Sequence, residues 1–302
     1  MQDLRVTFLG TSAGMPTRER NVASVAVTMD GRVLLFDCGE ATQHQLMKSA
    51  VRFGAIEAIF ITHLHGDHLF GLPGLLSSMS LNARRKPLAL YGPAGIAAFM
   101  ESLPLYHTAF DLEIHELACG KGSQPVRVAD GYAVDAAPLV HSAPCYGFRI
   151  VEDDRPGEFD VARARALGLE PGPAWGELQR ANDPRVCGPS RPGRRIVYVT
   201  DTRPCDAAIE LARGADLLIH EATYASDMAV EAVERFHATS AEAAEVARAA
   251  GVARLILTHV SPRYTDPSAL LEEGRAVFAQ TELAEDLAVY SASPEFPFPG
   301  DR

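Results

Sequence analysis

The densest chemistry in the chain lies in six consecutive residues, His63-Leu64-His65-Gly66-Asp67-His68. Imidazole nitrogen and carboxylate oxygen are the ligands that zinc takes in catalytic sites. The run follows the apolar stretch 56–61, which reads as a buried strand. It precedes a helix predicted over 68–81, with Pro73 near its start. Alternate residues of an extended chain point the same way, so His63 and His65 converge. The chain then turns at Gly66, and Asp67 and His68 enter from the start of the helix. Four such residues are too many for one catalytic zinc that keeps an open position. The spacing therefore predicts part of a two-metal hydrolytic site, completed from later in the chain.

Three later residues have the right chemistry and the right context. His141 follows the strand-like run 136–140, Asp201 follows 196–200, and His259 follows 255–258. The ends of strands are where a rigid scaffold presents catalytic groups. His44, His107 and His115 lack this context and read as solvated or structural.

The elements that must position these residues read as strand-rich at first and then as alternating strand and helix. Leu4, Val6 and Phe8 alternate ahead of the turn at residues 10–14, and 33–36 is apolar up to Asp37-Cys38-Gly39. Residues 41–50 read as helix, 88–91 as strand, and 93–102 as helix with Pro93 at its first position. Residues 126–140 and 146–151 read as strands. Beyond them, strands are expected at 196–199, 217–219 and 254–257, and a helix at 205–213. Thr239-x-x-Glu242 is a capping box that opens an Ala-rich helix to residue 250. Asp266-Pro267 caps a last helix. The pattern predicts an α/β sandwich in a single domain spanning 1–302. Residues 152–195 break it with Pro156, Pro171, Pro173, Pro184, Pro189 and Pro192. They read as an excursion with a short helix at 161–167.

Composition sets the remaining bounds. The chain has 302 residues, 47% of them hydrophobic, ample for a large core. No apolar run approaches a membrane span, and the N-terminus reads as a first strand with no signal-peptide pattern. The five cysteines, Cys38, Cys119, Cys145, Cys187 and Cys205, are odd in number and widely spaced. That suits a reduced, cytoplasmic protein and no cysteine metal site. The net charge of −11 argues against a general nucleic-acid binder. Yet Arg180, Arg185, Arg191, Arg194 and Arg195 face only one acid, Asp183, and form a local basic segment suited to phosphate. Of the 28 basic residues only Lys48, Lys86 and Lys121 are lysine. Arginine suits bidentate phosphate contacts, although an Arg-rich genome explains the bias as well.

The histidine run resembles the signature of the metallo-β-lactamase superfamily, whose fold is an αββα sandwich. Its extension through Leu69-Phe70-Gly71-Leu72-Pro73-Gly74-Leu75-Leu76 is similar to the ribonuclease Z family of tRNA 3′-processing endonucleases. The likeness runs from Gly10-Thr11 to Thr258-His259-Val260-Ser261-Pro262-Arg263-Tyr264. Pro16-Thr17-Arg18-Glu19-Arg20-Asn21 resembles that family's PxKxRN loop with Arg18 for Lys. His220-Glu221-Ala222-Thr223 matches its HEAT loop, and Phe236-His237-Ala238-Thr239 its HST loop with Ala238 for Ser. Residues 168–178, with Gly172-Pro173, look like the GP motif of its flexible arm, an exosite that grips tRNA.

The resemblance implies roles. Two Zn²⁺ per subunit are expected, with Mn²⁺ also accepted by N/O ligands. His63, His65 and His141 would hold one ion, Asp67, His68 and His259 the other, and Asp201 would bridge them. A bridging hydroxide would attack phosphorus, with Asp67 as its base or orienter. Glu221 and His237 would protonate the leaving ribose oxygen, while His220 reads as structural. Arg18, Arg20 and Asn21 would contact RNA. Gly172, Pro173, Arg180 and Arg185 would contact it from the protruding arm at 152–195. The substrate would be precursor tRNA, and the enzyme a homodimer with no membrane association. A small-molecule metallohydrolase or phosphodiesterase of the same superfamily would need neither the arm nor the PxRxRN loop. A non-enzymatic RNA-binding module would not need all seven ligand positions filled.

Overall fold

Strands that are apolar on both faces need cover on both sides, and the chain supplies it in four layers. The computed structural model describes residues 4–103, 108–118, 120 and 122–292, so His107, Cys119 and Lys121 lie outside the described residues. The first sheet uses β1 (Leu4–Gly10), β2 (Ser24–Met29), β3 (Arg32–Phe36), β4 (Ile56–Phe60), β5 (Leu88–Pro93) and β6 (Leu112–Leu117). The second uses β7 (Gln124–Ala129), β8 (Tyr132–Pro138), β9 (Tyr146–Glu152), β10 (Arg195–Val199), β11 (Leu217–Glu221), β12 (Leu255–Thr258) and β13 (Thr281–Leu283). A final strand, β14 (Val289–Ser291), returns to the first sheet beside β1.

Each sheet is antiparallel over one half and parallel over the other. The orders are β14-β1-β2-β3-β4-β5-β6 and β13-β12-β11-β10-β9-β8-β7. Phe8, Phe36, Phe60, Tyr132, Phe148, Tyr198 and their neighbours fill the space between the sheets. The outer face of the first sheet packs on α1 (Thr42–Lys48), α2 (Gly66–Leu69), α3 (Leu72–Leu81) and α4 (Ile96–Ser102). After α5 (Val161–Ala166) and α6 (Pro173–Arg180), the second sheet is covered mainly by α7 (Asp206–Ala212), α9 (Ser240–Ala250) and α10 (Ser268–Val277), with α8 (Ala229–Glu234) beside them. The predicted capping box is present at α9, where Thr239 and Glu242 exchange side-chain and backbone bonds. Among the described residues no helix is long and apolar enough to cross a membrane.

Three local expectations differ. The helix expected over 68–81 begins earlier and is broken in two, with α2 ending before Phe70. A Cβ at Gly71 would lie 2.0 Å from the Gly39 carbonyl, so this backbone packs against the β3–α1 loop. Pro93 ends β5 instead of starting a helix, and α4 begins after Gly95, whose φ of 102° suits glycine. The unexpected β6 is an edge strand, and its exposed Glu113 and His115 explain its weak apolar signal.

Residues 152–195 leave and rejoin the second sheet through a buried clasp. Glu152 accepts Arg194 Nε at 2.8 Å and Arg194 Nη2 at 2.6 Å. Beyond the clasp, an antiparallel bridge pairs Arg155 with Arg191 and another pairs Phe159 with Cys187. Ala164, Val186 and Cys187 pack with Phe159, Leu169, Trp175 and Leu178, so the excursion has a small core of its own. The predicted short helix is α5, and α6 is a second helix that the Gly-Pro punctuation concealed. The basic segment is smaller than its sequence suggests. Arg194 is 2% exposed and committed to Glu152, Arg195 lies in β10, and Arg185 pairs with Asp183 at 2.7 Å.

The clasp generates a stability prediction. Burial raises the Glu152 carboxyl, but the Arg194 hydrogen bonds and charge outweigh it and hold the group below the usual carboxylate range. A carboxyl lowered by folding contributes stability above its unfolded value, and that contribution disappears as the pH falls through the folded value. Arg194→Ala leaves the buried carboxylate only the Arg155 guanidinium at 3.8 Å and the residue-194 amide at 3.1 Å, and should cost about 1.5–3 kcal/mol near neutral pH in urea denaturation. The gap between variant and wild type should narrow below about pH 4. An equal gap at both pH values contradicts the assignment.

Candidate metal centre

The predicted ligands all come from one end of the sandwich. His63 and His65 lie just past β4, Asp67 and His68 are in α2, and His141 lies just past β8. Asp201 follows β10 and His259 follows β12. Asp201 and His259 hold φ angles of 48° and 56° at the points where the chain leaves its strands. Asp and His enter this left-handed region more readily than branched residues do. The turn lifts each side chain away from the strand and into the cleft between the sheets.

The structure brings all seven predicted ligands together in two adjoining groups. His63, His65, His141 and Asp201 present atoms within 4.8 Å of one another, and so do Asp67, His68 and His259. His63 Nε2 lies 2.9 Å from His65 Nδ1, which lies 3.3 Å from His141 Nε2. In the other group His68 Nε2 lies 3.3 Å from His259 Nε2 and 3.2 Å from Asp67 Oδ2. Asp201 turns one oxygen to each group. Its Oδ2 is 3.6 Å from His63 and 3.8 Å from His141, and its Oδ1 is 3.3 Å from His68 and 3.2 Å from His259.

The hydrogen bonds behind the rings fix which nitrogen faces inward. His68 Nδ1 donates to Asp37 Oδ2 at 2.8 Å, and His141 Nδ1 meets the Phe236 carbonyl at 3.3 Å. His63 Nδ1 meets the Thr62 hydroxyl at 3.0 Å, and that hydroxyl donates to Asp37. His259 Nδ1 meets the Thr223 hydroxyl at 3.0 Å, and that hydroxyl donates to Glu221 at 2.6 Å. With Nδ1 engaged in this way, Nε2 faces the centre and can turn a lone pair to a cation, as a metal ligand requires. His65 differs and offers Nδ1.

Charge points the same way. Burial lowers the His68 imidazole, but Asp201, Asp37 and Asp67 around it outweigh burial and raise it well above its ordinary value. Burial and the neighbouring His68 imidazole hold His63 low. The cluster thus draws positive charge to His68 while His63 favours the neutral state, and divalent cations would satisfy both. The donor set fits such ions.

A second arrangement adjoins the first. Glu221 is fully buried and accepts Thr202 N–H at 2.7 Å and His237 Nδ1–H at 3.0 Å. Burial lowers the His237 imidazole, but the Glu221 charge and hydrogen bond outweigh it and raise the group to about 9. His237 also lines the open cavity of about 440 Å³ over the centre, with His65, Asp67, His141 and Tyr224. His220 is buried and its Nδ1 bonds the Glu221 carbonyl at 2.7 Å. Ala238 is wholly buried, and its carbonyl accepts the Tyr224 amide at 3.4 Å.

The loop before β2 divides its predicted roles. Arg18 is exposed. Arg20 turns inward, with Nη1 donating to Thr11 Oγ1 at 2.7 Å and to the Ala284 carbonyl at 2.8 Å. Asn21 Nδ2 bonds the Glu40 carbonyl at 2.7 Å. Gly172, Pro173, Arg180 and Arg185 lie on the 152–195 excursion and are not part of the centre.

Sequence reasoning missed Asp37, Thr62 and Thr223. Asp37 follows β3 with φ 55°, as Asp201 follows β10, so the strand-end rule that found the ligands applies to it as well. A threonine directly precedes each of His63, Asp201 and His259. Arg203 was also missed. Its guanidinium bonds the His237 carbonyl and pairs with Glu242 at the start of α9, which holds the His237 loop in place.

Asp37→Asn tests the support behind the rings. Asparagine tolerates the same backbone region but removes the charge that orients His68 and, through Thr62, His63. Chelator competition should show cation affinity falling about 10–100-fold. Unchanged affinity would remove Asp37 from this role.

Comparison with known proteins agrees with the geometry. The family described as "Beta-lactamase superfamily domain" matches residues 185–260, and that described as "Anti-Pycsar protein Apyc1" matches residues 4–103. The chain is 47% identical over 305 residues to a ribonuclease Z of Geobacillus kaustophilus, covering 95% of this chain and 99% of that protein. It is 46% identical over 306 residues to a ribonuclease Z of Gloeothece citriformis, covering 95% and 96%. The crystal structure of the short form of human tRNase Z superposes with a TM-score of 0.74 at 34% identity, covering 96% of this chain and 99% of that one. Similarity of this extent, over a sandwich with a His/Asp cluster at its edge, shows that the chain belongs to the ribonuclease Z family.

Proposed function

We propose that this endoribonuclease cleaves precursor tRNA after the discriminator nucleotide, leaving a 3′ hydroxyl on the tRNA and a 5′ phosphate on the trailer. The observation that carries the reading is the join between the ligand cluster and the Glu221–His237 pair. Asp201, His237 and His259 present atoms within 4.8 Å of one another, so a proton donor stands directly beside a donor set for cations. In this reading His63, His65 and His141 would hold one divalent cation, Asp67, His68 and His259 would hold a second, and Asp201 would serve both. The nitrogen-rich set suits Zn²⁺, and Mn²⁺ shares these ligand preferences. Such a pair, when bound, lowers the pKa of water and stabilises the attacking and leaving oxygens of an in-line displacement at phosphorus.

The chain's own groups set direction and protonation. Asp67 Oδ2 accepts the Gly14 amide at 2.9 Å, which fixes the carboxylate's rotation. Burial raises its carboxyl, but the His68 charge and the His259 and His68 hydrogen bonds outweigh it and hold the group far below the usual range. So poor a proton store accepts a hydrogen bond from the attacking water and aims it. His237 is protonated at neutral pH, and Glu221 occupies its Nδ1. Nε2 is left to donate to the ribose 3′ oxygen as its bond to phosphorus breaks.

Exposed Arg18 meets RNA phosphate, while Arg20 and Asn21 shape its loop. On the excursion, exposed Arg163, Arg165 and Arg180 beside the Gly172-Pro173 turn form an arm that positions the tRNA body. Arg185 contributes through its Asp183 pair. Four free cysteines among the described residues suit a reducing cytoplasm. The homodimer, in which one subunit's arm holds tRNA for the other's centre, is supported by family resemblance alone.

Mapping the product of a 3′-extended precursor tRNA tests the reading. Cleavage after the discriminator is expected, and cleavage within the trailer contradicts it. Asp67→Ala should abolish product while leaving RNA affinity nearly intact. A loss of affinity equal to the loss of rate contradicts the assigned role.

The Arg155–Arg191 bridge allows 156–190 to be replaced by a short Gly-Ser turn. That variant should bind precursor tRNA weakly yet still hydrolyse bis-p-nitrophenyl phosphate. Loss of both activities together would make the segment structural.

A further inference from the structure

The end of the first sheet opposite the metal centre carries a cationic hollow. The centre lies past the C-terminal ends of β3 and β4, whereas this cavity of about 380 Å³ opens at the starts of β3, β4 and β5. At about 3.3 Å per residue, the length of β4 puts roughly 16 Å or more between them. Arg32, Arg52, Arg84 and Lys86 line the cavity, with Glu57 as the sole carboxylate among its lining residues. Glu57 is already engaged by the Tyr132 hydroxyl and by Arg127 at 3.6 Å. None of the four cations forms an ion pair with a described carboxylate.

Their bonds within the protein go to neutral groups. Arg32 Nη1 donates to the Asp130 carbonyl at 2.6 Å. Arg84 donates from Nε to the Lys86 carbonyl at 2.8 Å and from Nη2 to the Pro87 carbonyl at 2.7 Å. Arg84 Nη1 is buried and has no hydrogen-bond partner among the described residues. An unsatisfied buried guanidinium N–H is costly, and anionic charge in the adjoining hollow would stabilise Arg84, which lies over the Phe110 ring. Desolvation of Arg84, with no carboxylate to offset it, is consistent with this. A second hollow of about 260 Å³ shares Gly54, Arg84 and Lys86 with the first and adds Phe53, Asn82, Arg85 and the edge of the otherwise buried Met79. The half-buried Phe53 ring therefore adjoins the cations, in a space of a size suited to a small ligand.

We propose that this paired hollow binds a nucleoside polyphosphate, with the phosphates among Arg32, Arg52, Arg84 and Lys86 and the base against Phe53. The concave, half-open shape, at the opposite end of the strands from the metal centre, favours a small ligand over an RNA backbone.

Isothermal titration of ATP, pyrophosphate and adenosine into the metal-loaded protein tests it. ATP should bind more tightly than pyrophosphate, and adenosine more weakly than either. Arg84 supports its own loop, so the test variant is Arg52→Ala/Lys86→Ala. Removing charge-assisted contacts should weaken ATP binding about tenfold for each cation lost. Precursor tRNA affinity and cleavage should be unchanged in that variant. Asp67→Ala, in the metal centre, should retain ATP binding at the remote hollow. ATP binding unchanged in the double variant but lost in Asp67→Ala would put the phosphates on the metal centre and overturn the proposal. It would equally be overturned by absence of saturable ATP binding, by pyrophosphate binding as tightly as ATP, or by a drop in precursor tRNA affinity matching the drop for ATP.

Discussion

The buried carboxylate of Asp37 is the interaction on which the centre depends. It accepts the Thr62 amide at 2.8 Å, the Thr62 hydroxyl at 3.0 Å, His68 Nδ1 at 2.8 Å and the Tyr198 hydroxyl at 3.0 Å. Those donors come from the end of β4, from α2 and from β10, so one side chain ties the two sheets together where the ligands emerge. It does so while wholly buried, which a charge tolerates only when it is fully hydrogen-bonded. Glu221 plays the matching part on the other side. Thr62 and Thr223 stand in the same relation to these two carboxylates, each passing a hydrogen bond from a ring to an acid. The rings are thereby set before any cation arrives.

The backbone carries part of the same cost. Asp37, Asp201 and His259 all sit in the left-handed region, at about 1–3 kcal/mol each. That strain is sustained by the sandwich beneath. Phe36 and Phe60 stack at 5.0 Å between centroids, and Phe60 and Tyr91 at 4.9 Å, directly under the ends of β3, β4 and β5. A rigid apolar interior thus holds side chains in conformations that their own preferences would not select.

How much of this was legible in the sequence follows from which features are local. The His63–His68 run and the positions of His141, Asp201 and His259 could be read because strand period and residue type are local properties. The family resemblance supplied how they divide between two cations, and the two oxygens of Asp201 give that division a geometric basis. Asp37 was not legible as a support because its partners are far away in sequence. The break at Gly71 arises from a contact with the Gly39 backbone, which no helical pattern reveals. The arginines of 180–195 misled in proportion to their tertiary roles. Arg194 is spent on Glu152, and composition cannot distinguish a clasp from a phosphate contact.

The central claim is that one preformed cluster holds two cations joined by Asp201. Its most direct test is the content of divalent metal per chain by inductively coupled plasma mass spectrometry, for the wild type and for His141→Ala. The account predicts two ions per chain in the wild type and one in the variant, because His141 serves only the first group. A wild-type content of one, or a content unchanged by His141→Ala, would contradict it.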